Sequence, residues 1–166
     1  MLKKILILIS ILVGLLLLLF STTGFEKSIV VSENNIEKKA LPIKLNHYTD
    51  RYCNMKIVDI NYTAEAIISD GKTFFFDDVG CMVSWLKEQK NQDSVVLWVW
   101  AKDKQKYIDA KGAWYSTNEI TPMEYGFGAY QDKQKDYIDF ETMRLKVYRG
   151  ETLQNDILRK KEIGND

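Results

Sequence analysis

The run Ala64-Glu65-Ala66-Ile67-Ile68-Ser69-Asp70-Gly71-Lys72-Thr73-Phe74-Phe75-Phe76 decides the reading of the fold. Two apolar arms flank Asp70-Gly71, and a two-residue hairpin loop of this kind needs φ > 0 at both turn positions. The run therefore predicts a β-hairpin. Directly after it, Asp77 or Asp78 suits a helix N-cap, and Val79, Met82, Val83 and Leu86 recur at helical spacing through about Lys90. Residues 94–101, rich in Val and Trp, read as a strand apolar on both faces and central in its sheet. The order is β-β-α-β.

Beyond a charged turn at 102–106, the same order is expected to restart: Tyr107-Ile108-Asp109, Ala113-Trp114-Tyr115 and Gly126-Phe127-Gly128-Ala129-Tyr130 suit strands, and 140–147 a short helix. The expectation is an α+β chain of two related β-β-α-β units packed together, about 48–102 and 103–149, forming one domain over 48–149. A helical tail follows at 150–166, with Leu153, Ile157 and Leu158 on one side.

Upstream, Lys3 and Lys4 precede an apolar run from Ile5 to Phe20 broken only by Ser10 and Gly14. Sixteen helical residues reach about 24 Å, short of a hydrocarbon core of roughly 30 Å, and continuing through Phe25 closes the gap. No A-x-A cleavage pattern and no lipid-accepting Cys follows. Residues 1–25 are thus expected to be an uncleaved transmembrane anchor, with the paired lysines inside and the rest extracytoplasmic. Residues 26–47, polar and without apolar period, read as a tether.

Lys and Arg number 23, as do Asp and Glu, so no charge excess points to nucleic acid or to a strongly charged partner. Motifs for metalloproteases, serine hydrolases, P-loops and dinucleotide folds are absent from the sequence, and no enzymatic role is expected. The two cysteines, Cys53 and Cys81, lie in a segment expected outside the cytoplasm, where a bridge between them would contribute about 3–4 kcal/mol in the chain-entropy model.

Soft donors recur instead. Cys53-Asn54-Met55 places a thiolate and a thioether two positions apart, on one side of an extended segment, and such ligands favour Cu(I). Cys81 falls in the first turn of the expected helix, where free N–H groups and the helix dipole lower a thiol pKa. Met82 shares the apolar face of that helix. Met123, in Thr121-Pro122-Met123-Glu124, has no periodic partner that would make it core, and His47 is the one histidine. Asp70, Asp77 and Asp78 suit turn and cap duty, and the aromatic runs at 74–76 and 98–100 suit core and sheet cover.

Taken in order, Tyr52-Cys53-Asn54-Met55, Ala64-Glu65-Ala66, Asp70-Gly71-Lys72, Phe76-Asp77-Asp78-Val79-Gly80-Cys81-Met82 and Thr121-Pro122-Met123 resemble the NosL family over about 48–147. The resemblance implies a membrane-attached, extracytoplasmic Cu(I) chaperone for the copper sites of nitrous oxide reductase, built from two β-β-α-β units. It implies Cys53, Met55 and Met123 as metal ligands; Cys81, Met82 and His47 are secondary candidates on the chemistry of their own side chains. Three departures stand out. Asp50 occupies the place of the first Cys of a C-x-x-C-G-M motif, Asn54 replaces its Gly, and Glu124 replaces the Gly after Met123.

Two other readings remain open on sequence. One is a thiol-disulfide protein that uses Cys53 and Cys81 as a reversible pair. The other is a structural subunit of a membrane complex, docking through a Trp-rich surface.

Overall fold

A computed structural model describes residues 2–22 and 28–164. Thr23 to Lys27, which include the end of the expected anchor and the start of the expected tether, lie outside the described residues, as do Asn165 and Asp166 at the end of the tail. Among the described residues the chain is α+β, with two sheets and four helices. Helix α1 covers Leu2–Thr22. The side chains of Leu2, Leu8 and residues 16–22 are not among those described. Among the described residues no helix is long and apolar enough to cross a membrane, so the expected span draws no support from the structure.

The hairpin forms. Strands β2 (Ala64–Ile67) and β3 (Thr73–Phe76) pair antiparallel, with Ala64 opposite Phe76 and Ile67 opposite Thr73. Its loop is longer than expected. The Gly71 N–H donates to the Ile68 carbonyl at 3.1 Å, the Ile68 N–H donates to the Lys72 carbonyl at 3.1 Å, and Gly71 has φ +83° while Asp70 stays at negative φ. This is a tight turn followed by a glycine bulge, which needs one left-handed residue rather than two.

Helix α2 (Val79–Lys87) follows, capped by the Asp78 carboxylate, which accepts from the Gly80 N–H at 2.8 Å. Strand β4 (Val96–Ala101) returns beside β2, and β5 (Lys106–Asp109) pairs with β4. With β1 (Val31–Ser32) on the far side of β3, the sheet runs β1-β3-β2-β4-β5. The β-β-α-β reading of 64–101 therefore holds.

One face of this sheet, carrying Ala64, Ala66, Phe76, Leu97 and Val99, packs on Val79, Met82, Val83 and Leu86 of α2. The other face carries Glu65, Ile67 and Phe75, all fully buried, and Trp98. A sheet apolar on both sides needs two covers. Residues 28–49 supply the second, although 28–47 read as tether on sequence alone. Trp98 Nε1 donates to the Lys38 carbonyl at 3.0 Å, the Leu41 N–H donates to the Glu65 carboxylate at 3.0 and 3.2 Å, and the Tyr48 ring meets Phe75 edge-on at 4.5 Å. Trp98 is thus covered, and Trp100 stacks edge-on against Tyr107 at 5.3 Å, so no tryptophan is among the large exposed hydrophobics of the described residues.

The second half departs from the expected repeat. Strand β6 (Trp114–Tyr115) sits between β7 (Ala129–Tyr130) and β8 (Ile138–Asp139), and α3 (Phe140–Arg149) follows, capped by Asp139 and ended by Gly150 at φ +70°. Among the described residues no strand comes after α3, and β5 belongs to the first sheet, so 103–149 is not a second β-β-α-β unit. Its strands are two residues long, too short for periodicity to order them. The Lys102 N–H donates to the Ala129 carbonyl at 3.0 Å, and Phe140 and Met143 of α3 join the core of the first unit. A last helix, α4 (Asp156–Ile163), is capped by Asn155; Leu153 precedes it and is buried, whereas Ile157 is 80% exposed and does not share its face.

Candidate metal centre

Residues 50–57 form a tight turn around the Asp50 carboxylate. Asp50 is fully buried, and its Oδ1 accepts from the Tyr52 N–H at 2.6 Å and the Cys53 N–H at 2.9 Å. The Asp50 N–H donates to the Met55 carbonyl at 2.8 Å, and Asn54 is left-handed at φ +61°. The remaining oxygen, Oδ2, accepts from the Asp77 N–H at 2.8 Å. One carboxylate therefore clamps the Cys53 turn to the junction of β3 and α2.

The junction is extended at Asp78 (φ −138°, ψ 135°), so neighbouring side chains leave on opposite sides. Asp77 turns toward Cys53, whose Sγ donates to Asp77 Oδ1 at 3.6 Å. Asp78 turns away. Besides capping α2, its Oδ2 accepts from Thr121 Oγ1 at 2.5 Å and from the Met123 N–H at 3.1 Å. The capping aspartate thus pins the Thr121-Pro122-Met123 loop to the start of the helix.

Cys81, one helical turn after Asp77, completes the cluster. Ligand atoms of Asp50, Cys53, Asp77 and Cys81 all lie within 4.8 Å of one another. Both cysteines are free; Cys81 is buried and Cys53 partly exposed. Tyr125 closes the helix side of this region: its ring occupies the space a Cβ on Gly80 would need, and its hydroxyl is 3.0 Å from Ser84 Oγ.

Electrostatics favours protons on three members of this cluster, Cys53, Asp77 and Cys81. Burial, reinforced by the carboxylates of Asp50 and Asp77, pushes the Cys53 thiol up to about 12. Burial pushes Cys81 well above the usual thiol range, and Asp50 and Asp78 add to it. The expected lowering of the Cys81 pKa by the helix start is overturned, because desolvation and like charge outweigh the dipole. Burial and the neighbouring Asp50 carboxyl raise Asp77 to about 8, and burial raises Asp78 to about 6 against the three hydrogen bonds it accepts. Cys53, Asp77 and Cys81 thus hold their protons more tightly than usual, and a cation entering between them would have to replace those protons.

The structure sorts the sequence candidates. Cys53 joins Cys81. Met82 is fully buried in the core. Met123 is partly buried against that core, with its backbone held by Asp78. Met55 is 47% exposed. His47 lies in the 45–47 turn, where its carbonyl accepts from the Ile29 N–H at 2.7 Å.

Sequence reasoning missed Asp50 and Asp77. Their signal was the spacing D-x-x-C at 50–53 and D-x-x-x-C at 77–81, with Asp50 standing where a cysteine was expected. Asn54 and Glu124, at positions where the resemblance expects Gly, are left-handed, at φ +61° and +59°. Glycine is the residue such positions favour. Compared with protein-family models, with curated proteins and with solved structures, the chain matches none of them.

Proposed function

We propose that this protein is a carrier of a soft metal, Cu(I), held at the outer face of the cytoplasmic membrane by its N-terminal apolar segment, and that it delivers the ion to a cupro-enzyme of the nitrous oxide reductase type. The observation that carries the reading is the convergence of two thiols and two carboxylates within 4.8 Å. Metal–thiolate bonds of about 2.3 Å let one ion reach both sulfurs from near their midpoint. Soft thiolates suit Cu(I), and the carboxylates serve best as clamps that set the Cys53 turn. The left-handed backbone at Asn54 and Glu124 supports the likeness to NosL, since both positions match glycines of that pattern.

A carrier must also let go. Cys53 and Cys81 hold their protons strongly, so metal uptake displaces protons and release is helped by their return. Cys53, at the partly exposed end, is the donor a partner reaches first. Met123, beside the same helix start, offers a thioether for the exchange; Met55, on the surface, belongs to the encounter with the partner.

The test is a titration of the reduced full-length protein in detergent with Cu(I), against a chromophoric chelator. One ion per chain is expected, with binding lost in Cys53→Ser and strongly weakened in Cys81→Ser. Undiminished binding by the double variant refutes the site. The proximity of the two sulfurs also favours a second reading, a thiol-disulfide exchange protein; it predicts no Cu(I) uptake in the reduced state.

A further inference from the structure

We infer that the metal site is redox-gated: a disulfide between Cys53 and Cys81 closes it, and a bound soft metal keeps it open. The inference rests on the carrier reading and adds its regulation.

The two sulfurs lie within 4.8 Å of each other, both reduced. A disulfide needs about 2.05 Å between them, so closure asks for the two sulfurs to approach each other. The segments that carry them are already tied, because the Asp50 carboxylate bonds the Cys53 N–H on one side and the Asp77 N–H on the other. Cys81 is buried on α2 and Cys53 is partly exposed on a turn, which fixes the order of events. An incoming reagent meets Cys53 and not Cys81.

The reaction balances with a small-molecule disulfide, RS–SR, as oxidant. The Cys53 sulfur, giving up its proton as it attacks, bonds one sulfur of RS–SR; the reagent's S–S bond breaks, a mixed disulfide forms on Cys53, and RS⁻ leaves. The Cys81 thiolate then attacks the Cys53 sulfur, forming the Cys53–Cys81 bond and expelling a second RS⁻. The protons lost by the two thiols end on the two leaving thiolates, and two electrons pass to the reagent. A disulfide has no thiolate to give a metal, and a thiolate held by a metal is not free to attack. Metal and disulfide are therefore mutually exclusive occupants of one site.

The experiment treats the full-length protein, apo or loaded with Cu(I), with oxidised glutathione. It follows free thiols by alkylation and mass, and then measures Cu(I) affinity with the chromophoric chelator. Expected are a Cys53–Cys81 bond in the apo protein, protection of the loaded protein, and a fall in Cu(I) affinity of about 100-fold or more on oxidation, reversed by a reductant; even outer-shell losses at metal sites cost about 10–100-fold. Cys81→Ser should retain a glutathione adduct on Cys53 that wild type resolves. If the reduced protein takes up Cu(I) but no Cys53–Cys81 bond forms, or the oxidised protein binds as tightly as the reduced one, the gate is overturned and the carrier stands. If the bond forms in a protein that takes no Cu(I) when reduced, the carrier reading fails, and the gate with it.

Discussion

Replacing Asp50 by Ala removes the acceptor of three backbone N–H groups, those of Tyr52, Cys53 and Asp77. The Asp77 bond is buried, so its N–H is left without a partner at a cost of about 1–3 kcal/mol. The other two are part-buried and regain water, losing about 0.5–1.5 kcal/mol each. Relief of the repulsion between Asp50 and Asp77 offsets part of this, so the net loss should fall at about 2–4 kcal/mol. Urea unfolding followed by tryptophan fluorescence reads it directly: with a slope of about 1–3 kcal/mol per molar, the midpoint should drop by about 1–2 M. Asp50→Asn, which keeps one acceptor oxygen, should fall between Ala and wild type. A midpoint for Asp50→Ala within error of wild type would show that the clamp does not hold the Cys53 turn, and the metal centre built on it would lose its foundation.

Stability should fall as pH rises from about 5 to about 8. Glu65 moves from 4.5 to about 8 through burial and Asp77 from 3.8 to about 8, so in that window the folded state holds protons the unfolded chain has released. Glu65→Gln should flatten the slope, which denaturation midpoints across that range will show; an unchanged slope would place the burial of Glu65 in doubt. Gly80→Ala should cost about 1–3 kcal/mol, measured as a lowered melting temperature, because the added methyl meets the Tyr125 ring. Glu124→Gly should be neutral to stabilising by about 1 kcal/mol in the same assay: it relieves a left-handed residue and loses only the exposed ion pair with Arg159. Met55→Leu should leave equilibrium Cu(I) affinity within about threefold of wild type, given the exposure of Met55, and a larger loss would return it to the ligand set.

Much of the first unit was legible because its signals are local. The hairpin, the helix at 79–87 and its aspartate cap, and the two-faced strand at 96–101 follow from side-chain period, turn chemistry and capping over a few residues. The same two-faced strand carried an unread message: with one helix available, a second cover had to come from elsewhere, and the polar composition of 28–49 concealed it. That segment covers the sheet largely through main-chain bonds, such as those of Lys38 and Leu41, which leave no apolar period. The second half was less legible because two-residue strands carry no period.

By itself the sequence determined that a β-β-α-β unit would form, that its strand at 94–101 would be apolar on both faces, and that soft donors stood ahead of the hairpin and at the helix start. Only the tertiary structure decided which donors meet. Cys53 and Asp77 are 24 residues apart and Asp50 and Asp77 are 27 apart, and no local rule spans that distance. Their meeting depends on the hairpin bringing the end of β3 back beside the Cys53 turn and on the extended backbone at Asp78 sending Asp77 one way and Asp78 the other. Burial then reversed the expected electrostatics of Cys81, because taking a thiol out of water among carboxylates outweighs the pull of a helix dipole.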